Sequence, residues 1–125
     1  MTIHNQIQLF ETKKIRTIWD DDAEKWYFSV VDVVGVLTEQ PTIDRAKKYW
    51  SVLKVRLKKE GFEPTTNCSQ LKLPAADGKM RLTDVADMQQ IFRIIQSVPS
   101  RKAEPLKQWM AQVSASLLIY RKIAL

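Results

Sequence analysis

Between Thr42 and Gly61 the chain reads TIDRAKKYWSVLKVRLKKEG, and no other stretch limits the possible folds as strongly. Ile43, Ala46, Trp50, Leu53 and Leu57 recur at intervals of three and four, which puts them on one side of a helix. Thr42 suits the N-cap and Gly61 the C′ position. The same stretch holds seven Lys or Arg residues against two acids, Asp44 and Glu60. The apolar stripe requires a core and the cations require water. A helix held this way offers positive charge on a rigid element, as a polyanion such as DNA demands. Lys47, Lys54 and Lys58 line one flank of the stripe, Arg45 and Arg56 the other, and Lys48 and Lys59 lie opposite the core. Cations that wrap the exposed surface suit phosphate contact more than a narrow base-reading row.

The charge of the whole chain is uneven in the same sense. Residues 1–41 carry four basic and seven acidic side chains, whereas residues 42–125 carry sixteen and seven. The excess after residue 41 points to an anionic partner, against the plainer reading of solubility charge on a basic protein. At 125 residues and 45% hydrophobic content, one domain with a real core is expected over residues 1–125. No apolar run approaches a membrane span, and MTIHNQIQLFETKK lacks the apolar segment of a signal peptide. A soluble cytoplasmic protein is expected, and the lone Cys68 agrees with a reducing compartment.

The remaining pattern reads as α+β. Ile7 to Phe10, Lys14 to Trp19 and Glu24 to Phe28 are β-prone, with turn chemistry at Asp20-Asp21-Asp22-Ala23, and predict a small N-terminal meander. Ser29, followed three residues later by Asp32, predicts a variant capping box and a helix from Val30 to Glu39, stopped by Pro41. Phe62 to Ser69, with Pro64, reads as a loop. Asp77-Gly78 predicts a two-residue hairpin turn. Counted outward from it, Ala75 faces Met80 and Leu73 faces Leu82 on an apolar side, with Lys72, Lys79 and Arg81 on the other. Pro74 fits only an edge strand or an unbonded position. Thr83 is expected to cap a third, central helix over Asp84 to Val98, ended by Pro99. A fourth starts near Ala103, with Pro105 in its first turn and Leu106, Trp109, Met110, Val113 and Leu117 on one stripe.

Catalytic chemistry finds little support. One Cys and one His form no zinc spacing, and His4 is expected in a mobile terminus. The three consecutive Asp residues lack the spacing of a calcium loop. Cys68 has no His partner in a folded region. Asp84 and Asp87, three apart, are explained by the dipole of the helix expected there. Gly35, Gly61 and Gly78 make no phosphate loop. No enzyme activity, cofactor or metal is expected. The basic features remain, and the candidate DNA-binding residues are Arg45, Lys47, Lys48, Lys54, Arg56, Lys58 and Lys59 on the helix with Lys72, Lys79 and Arg81 on the hairpin. Tyr49 and Trp50 are read as packing residues, not base-stacking platforms.

The segment KIRTIWDDDAEKWYFSVVDVV resembles the opening of the BRO N-terminal domain, found in baculovirus BRO proteins and prophage antirepressors. YWSVLKVRLKKEG, TNCSQLKLPAADGKMRLTDVAD and FRIIQSVPSRKAEPLKQWMAQV are similar to a bacterial and prophage branch of that family. The pattern Ser100-x-x-Ala103-Glu104-Pro105-x-Lys107-x-Trp109 is its most specific part. The resemblance covers about residues 7–113 and leaves 114–125 as a divergent tail. It implies a non-enzymatic regulatory domain that binds double-stranded DNA, often at the N-terminus of a longer phage protein. It brings no defined contact residues. The alternative is an antirepressor module that binds a repressor protein, with Asp20, Asp21, Asp22 and Glu24 as a surface for a basic partner. RNA binding has no recognisable motif here. Leu118, Ile119 and Ile123 in the tail lack an obvious partner within the chain, and a homodimer through them is expected, the alternative being that the segment folds back over the meander as extra core.

Overall fold

A computed structural model describes residues 3–61 and 69–124, with side chains described for 6–61 and 69–115. Of the loop expected at Phe62 to Ser69, residues 62–68 lie outside the described residues and Ser69 already begins a strand, and the apolar side chains from Leu117 onward also lie outside them. The meander forms β1 (Ile3–Phe10), β2 (Lys13–Asp20) and β3 (Lys25–Ser29). Two helices follow, α1 (Val30–Leu37) and α2 (Ile43–Lys59). The hairpin strands are β4 (Ser69–Pro74) and β5 (Met80–Asp87), and α3 (Met88–Gln96) and α4 (Ala103–Ala124) complete the order. β5 pairs with β3, so meander and hairpin make one antiparallel sheet in the order β1-β2-β3-β5-β4. The fold is α+β, as expected. His4, expected in a mobile terminus, lies in the β1 ladder opposite Trp19.

Strand alternation divides the core in two. Ile15, Trp19, Trp26, Phe28 and Ala86 join the helices in the main cluster, while Ile18, Leu73 and Val85 form a smaller one with Tyr27 and Leu71. Arg16 of β2 reaches the Pro74 carbonyl of β4, and Ile18 shares the smaller cluster with Leu73, although two strands separate β2 from β4 in the sheet order, so the sheet curls. Pro74 sits in edge strand β4, where its missing N–H costs nothing.

Ser29 caps α1, its hydroxyl accepting from the Asp32 N–H. The reciprocal half of the expected capping box does not form, because the Asp32 carboxylate faces Arg16 instead. Arg16 donates from Nε to Asp32 Oδ2 at 2.8 Å and from NH2 to Oδ1 at 3.1 Å. Its own backbone N–H adds a third bond to Oδ2 at 2.9 Å. The same guanidinium reaches the Pro74 carbonyl at 3.1 Å and Ser29 Oγ at 3.2 Å. β2, the start of α1 and the end of β4 are thereby tied to one group. α1 ends at Leu37, two residues before the expected Glu39, which adopts a φ of 55° in the turn.

α2 seats itself as its sequence predicts. Thr42 accepts from the Arg45 N–H, and Gly61 takes a φ of 90°, a left-handed value that glycine accommodates without Cβ strain. Ala46, Trp50, Leu53 and Leu57 are buried. Ile43 departs from the stripe and is 42% exposed. A Cβ on Gly35 would lie 3.2 Å from Ala46 Cβ, so the missing side chain lets α1 and α2 approach closely. In α4, Leu106 and Met110 are buried, Pro105 falls in the first turn, and the Trp109 indole donates to the Leu9 carbonyl at 2.8 Å.

Two further expectations fail. The hairpin turn has three residues, not two. Ala75 N–H bonds the Lys79 carbonyl, Gly78 N–H bonds the Ala75 carbonyl, and Gly78 takes a φ of 81°. This is a turn followed by a bulge at a left-handed glycine. The extra residue shifts the register, pairing Leu73 with Arg81 and Lys72 with Leu82. A one-residue slip exchanges faces, so Lys72 does not share a face with Arg81. The third helix also begins later than expected. Thr83 and Asp84 belong to β5, and the cap is Asp87, in a true capping box with Gln90.

Removing the Asp32 carboxylate would strand the Arg16 charge, whose side chain is 18% exposed. Asp32→Ala is expected to cost about 3 kcal/mol, the low end for removing one partner of a buried pair. Urea denaturation at neutral pH measures it. Asp32→Asn, which keeps an acceptor for the Arg16 N–H, should cost less.

Candidate nucleic-acid interface

The cations of α2 fall into two groups. Arg45, Lys47, Lys48, Lys58 and Lys59 are exposed, and their side chains form no ion pair or hydrogen bond among the described residues. Lys54 and Arg56 are engaged. Lys54 lies 3.5 Å from Asp84 and 5.6 Å from the centre of the Trp50 ring, a cation–π contact. Arg56 donates to the Ser97 carbonyl at 2.5 Å and so fastens α2 to the segment between α3 and α4. Beside that arginine lies an open concavity of about 650 Å³, lined by Arg45, Lys48, Tyr49 and Val52 among others. Trp50 is 2% exposed and Tyr49 packs at the core boundary, as expected of both.

Asp84 joins this helix to the hairpin, a role hidden from the sequence by its expected place in a helix. Its carboxylate accepts from the Trp50 indole at 2.7 Å, from Gln70 Nε2 at 2.9 Å and from Lys54. Burial alone would raise its pKa. The hydrogen bonds from Trp50 and Gln70 and the Lys54 charge outweigh that, and the carboxyl sits below its ordinary value. The corrected register places Lys72 and Leu82 on this same face of the ribbon, since their pair follows Gln70 and Asp84 by two positions.

The far side of the ribbon is less available than expected. Arg81 forms a salt bridge with Asp77, and that hydrogen bond, with one from the Lys79 N–H, holds the Asp77 carboxyl below its usual range. Lys72 and Lys79 stay exposed, and their side chains have no partner among the described residues. Of the ten candidate residues, seven have side chains unpaired among the described residues, five of them on α2 and Lys72 and Lys79 on the ribbon, while Lys54, Arg56 and Arg81 are held by neighbours. Lys13 and Lys14, also exposed and unpaired among the described residues, escape a reading based on charge runs because they precede the basic part of the chain.

The acidic turn is largely structural. Asp20 is 4% exposed and accepts from the N–H groups of Asp22 and Ala23, and Asp21 accepts from the Trp19 indole. Among the described residues no group of three or more His, Cys, Asp or Glu could hold a metal ion, and no helix is long and apolar enough to cross a membrane.

Fold and surface together define a small α+β domain whose exposed second helix is cationic and is braced against a β-ribbon. The model of the BRO family N-terminal domain matches residues 14–115, and the chain belongs to that family. No curated protein and no solved structure shows significant similarity to it.

Asp84→Ala would leave the buried Trp50 indole without an acceptor, and the expected cost is about 1–3 kcal/mol. The depressed folded pKa also sets a pH dependence. The contribution is complete above the ordinary value of 3.8 and disappears as the pH falls through the lower folded value. Denaturation curves across the acid range should therefore be flatter for Asp84→Asn than for the natural chain.

Proposed function

We propose that this chain is a regulatory domain that binds double-stranded DNA without catalysing a reaction, with α2 as its principal contact. The observation that carries the reading is the set of five cations, Arg45, Lys47, Lys48, Lys58 and Lys59, whose side chains are unpaired among the described residues, on one buried-stripe helix. Ion pairs within the fold neutralise many of the other cations, so the excess positive charge collects where a rigid element can present it to phosphates. Lys72, on the α2 side of the ribbon, extends that surface. Membership of the BRO family supports the reading, since the resemblance implies a DNA-binding domain of a phage-type regulator. The repressor-binding alternative loses support from the acidic turn, whose Asp20 and Asp21 serve the fold.

Anisotropy titration against a labelled duplex is the test. Affinity should fall steeply between about 50 and 200 mM salt as condensed counterions are released. Replacing Lys47, Lys48, Lys58 and Lys59 by Ala should weaken binding to every sequence and lower the salt slope by roughly 0.9 for each phosphate no longer neutralised. Stability should change by less than about 0.5 kcal/mol per site, because these side chains are exposed. A folded quadruple variant that binds normally would reduce the lysines to a solvated face. Absence of binding at about 50 mM salt would turn the reading towards a protein partner.

A further inference from the structure

The outward row of α2 is not purely cationic. Lys48, Val52, Val55 and Lys59 follow one another at spacings of four, three and four, so they form a single line along the helix. Val52 is 72% and Val55 58% exposed, in the middle of the most charged element of the chain. Neither residue is there for helix propensity, since β-branched side chains lose χ1 freedom in a helix. Neither serves the core, which Ala46, Trp50, Leu53 and Leu57 supply from the other side.

We infer that α2 lies in the DNA major groove with Val52 and Val55 against the 5-methyl groups of thymine. The inference rests on the DNA-binding reading and adds the base that is recognised. The dimensions agree. Lys48 and Lys59 are eleven residues apart, about 16 Å along the axis, and the major groove is about 12 Å wide. Lysines at the two ends of the row therefore reach the phosphates on both sides when the helix crosses the groove, and the apolar centre faces the base edges. The thymine methyl is the apolar group that B-DNA displays there. A second copy of the chain is a poorer occupant, because a two-fold contact through this row would bring Lys48, Lys59 and the surrounding cations of both copies together.

The experiment compares the full chain on two duplexes of identical sequence rich in A·T pairs, one with thymine and one with uracil throughout. Uracil lacks only the methyl group. The natural chain should bind the uracil duplex about tenfold more weakly, as expected when two methyl groups are no longer there to be buried. The double variant Val52→Ala, Val55→Ala should bind both duplexes alike and keep the salt slope. Alanine is the better helix former, so this variant keeps α2 intact. Equal affinity of the natural chain for both duplexes would overturn the inference while leaving DNA binding in place. Discrimination retained by the double variant would overturn it too, as would a dimer in sedimentation that this variant dissociates. Failure to bind either duplex would remove the DNA reading and the inference with it.

Discussion

Arg16 and Asp32 form the contact on which the arrangement of this molecule depends. The guanidinium sits on β2, the carboxylate in the first turn of α1, and the same guanidinium reaches a carbonyl at the end of β4. Two charges largely removed from water are tolerable only when paired with good geometry and extra hydrogen bonds, and here both conditions hold. The pair orients α1 on the curled sheet. α1 in turn receives α2 through the gap left by Gly35 opposite Ala46. The direction in which the cationic helix faces solvent thus follows from a contact far from it in sequence.

A second polar node sets the other side of that helix. Asp84 holds the Trp50 indole, Lys54 and Gln70 together, so α2 and the ribbon cannot move independently without breaking partly buried hydrogen bonds. One lysine of the basic helix is used in this way, and Arg56 is used to hold the segment before α4. Elsewhere Arg101 pairs with Glu39, Lys102 with Glu11 and Lys107 with Glu104. The fold sorts its cations into those that brace the structure and those left to create an external field. That sorting locates the exposed positive charge more closely than net charge does.

The order of elements, the α+β class and the seating of α2 were legible in the chain because each rests on local physics. Apolar spacing of three and four, Thr42 as a cap and Gly61 at a left-handed position need only neighbouring residues. The hairpin's existence was legible too, from Asp77-Gly78 and the flanking β-prone residues. Its register was not. The difference between a two-residue and a three-residue loop is one hydrogen bond at Ala75, yet it moves Lys72 to the opposite face from Arg81. The start of α3 is displaced from its expected place for a related reason: Thr83 and Asp84 look like a helix start, but pairing with β3 and β4 continues the strand to Asp87.

By itself the sequence determined that a helix with a buried stripe and a cationic surface must exist, because period and charge are properties of consecutive residues. It also determined the family, through an ordered series of patterns along most of the chain. Only the tertiary structure decided which cations remain free. An arginine or lysine is neutralised by whatever acid the fold brings beside it, and the acids that meet Arg16 and Lys54 lie sixteen and thirty residues away. Only the tertiary structure, likewise, left Val52 and Val55 uncovered on the outward row of α2, since exposure depends on what packs against a side chain and not on its own identity.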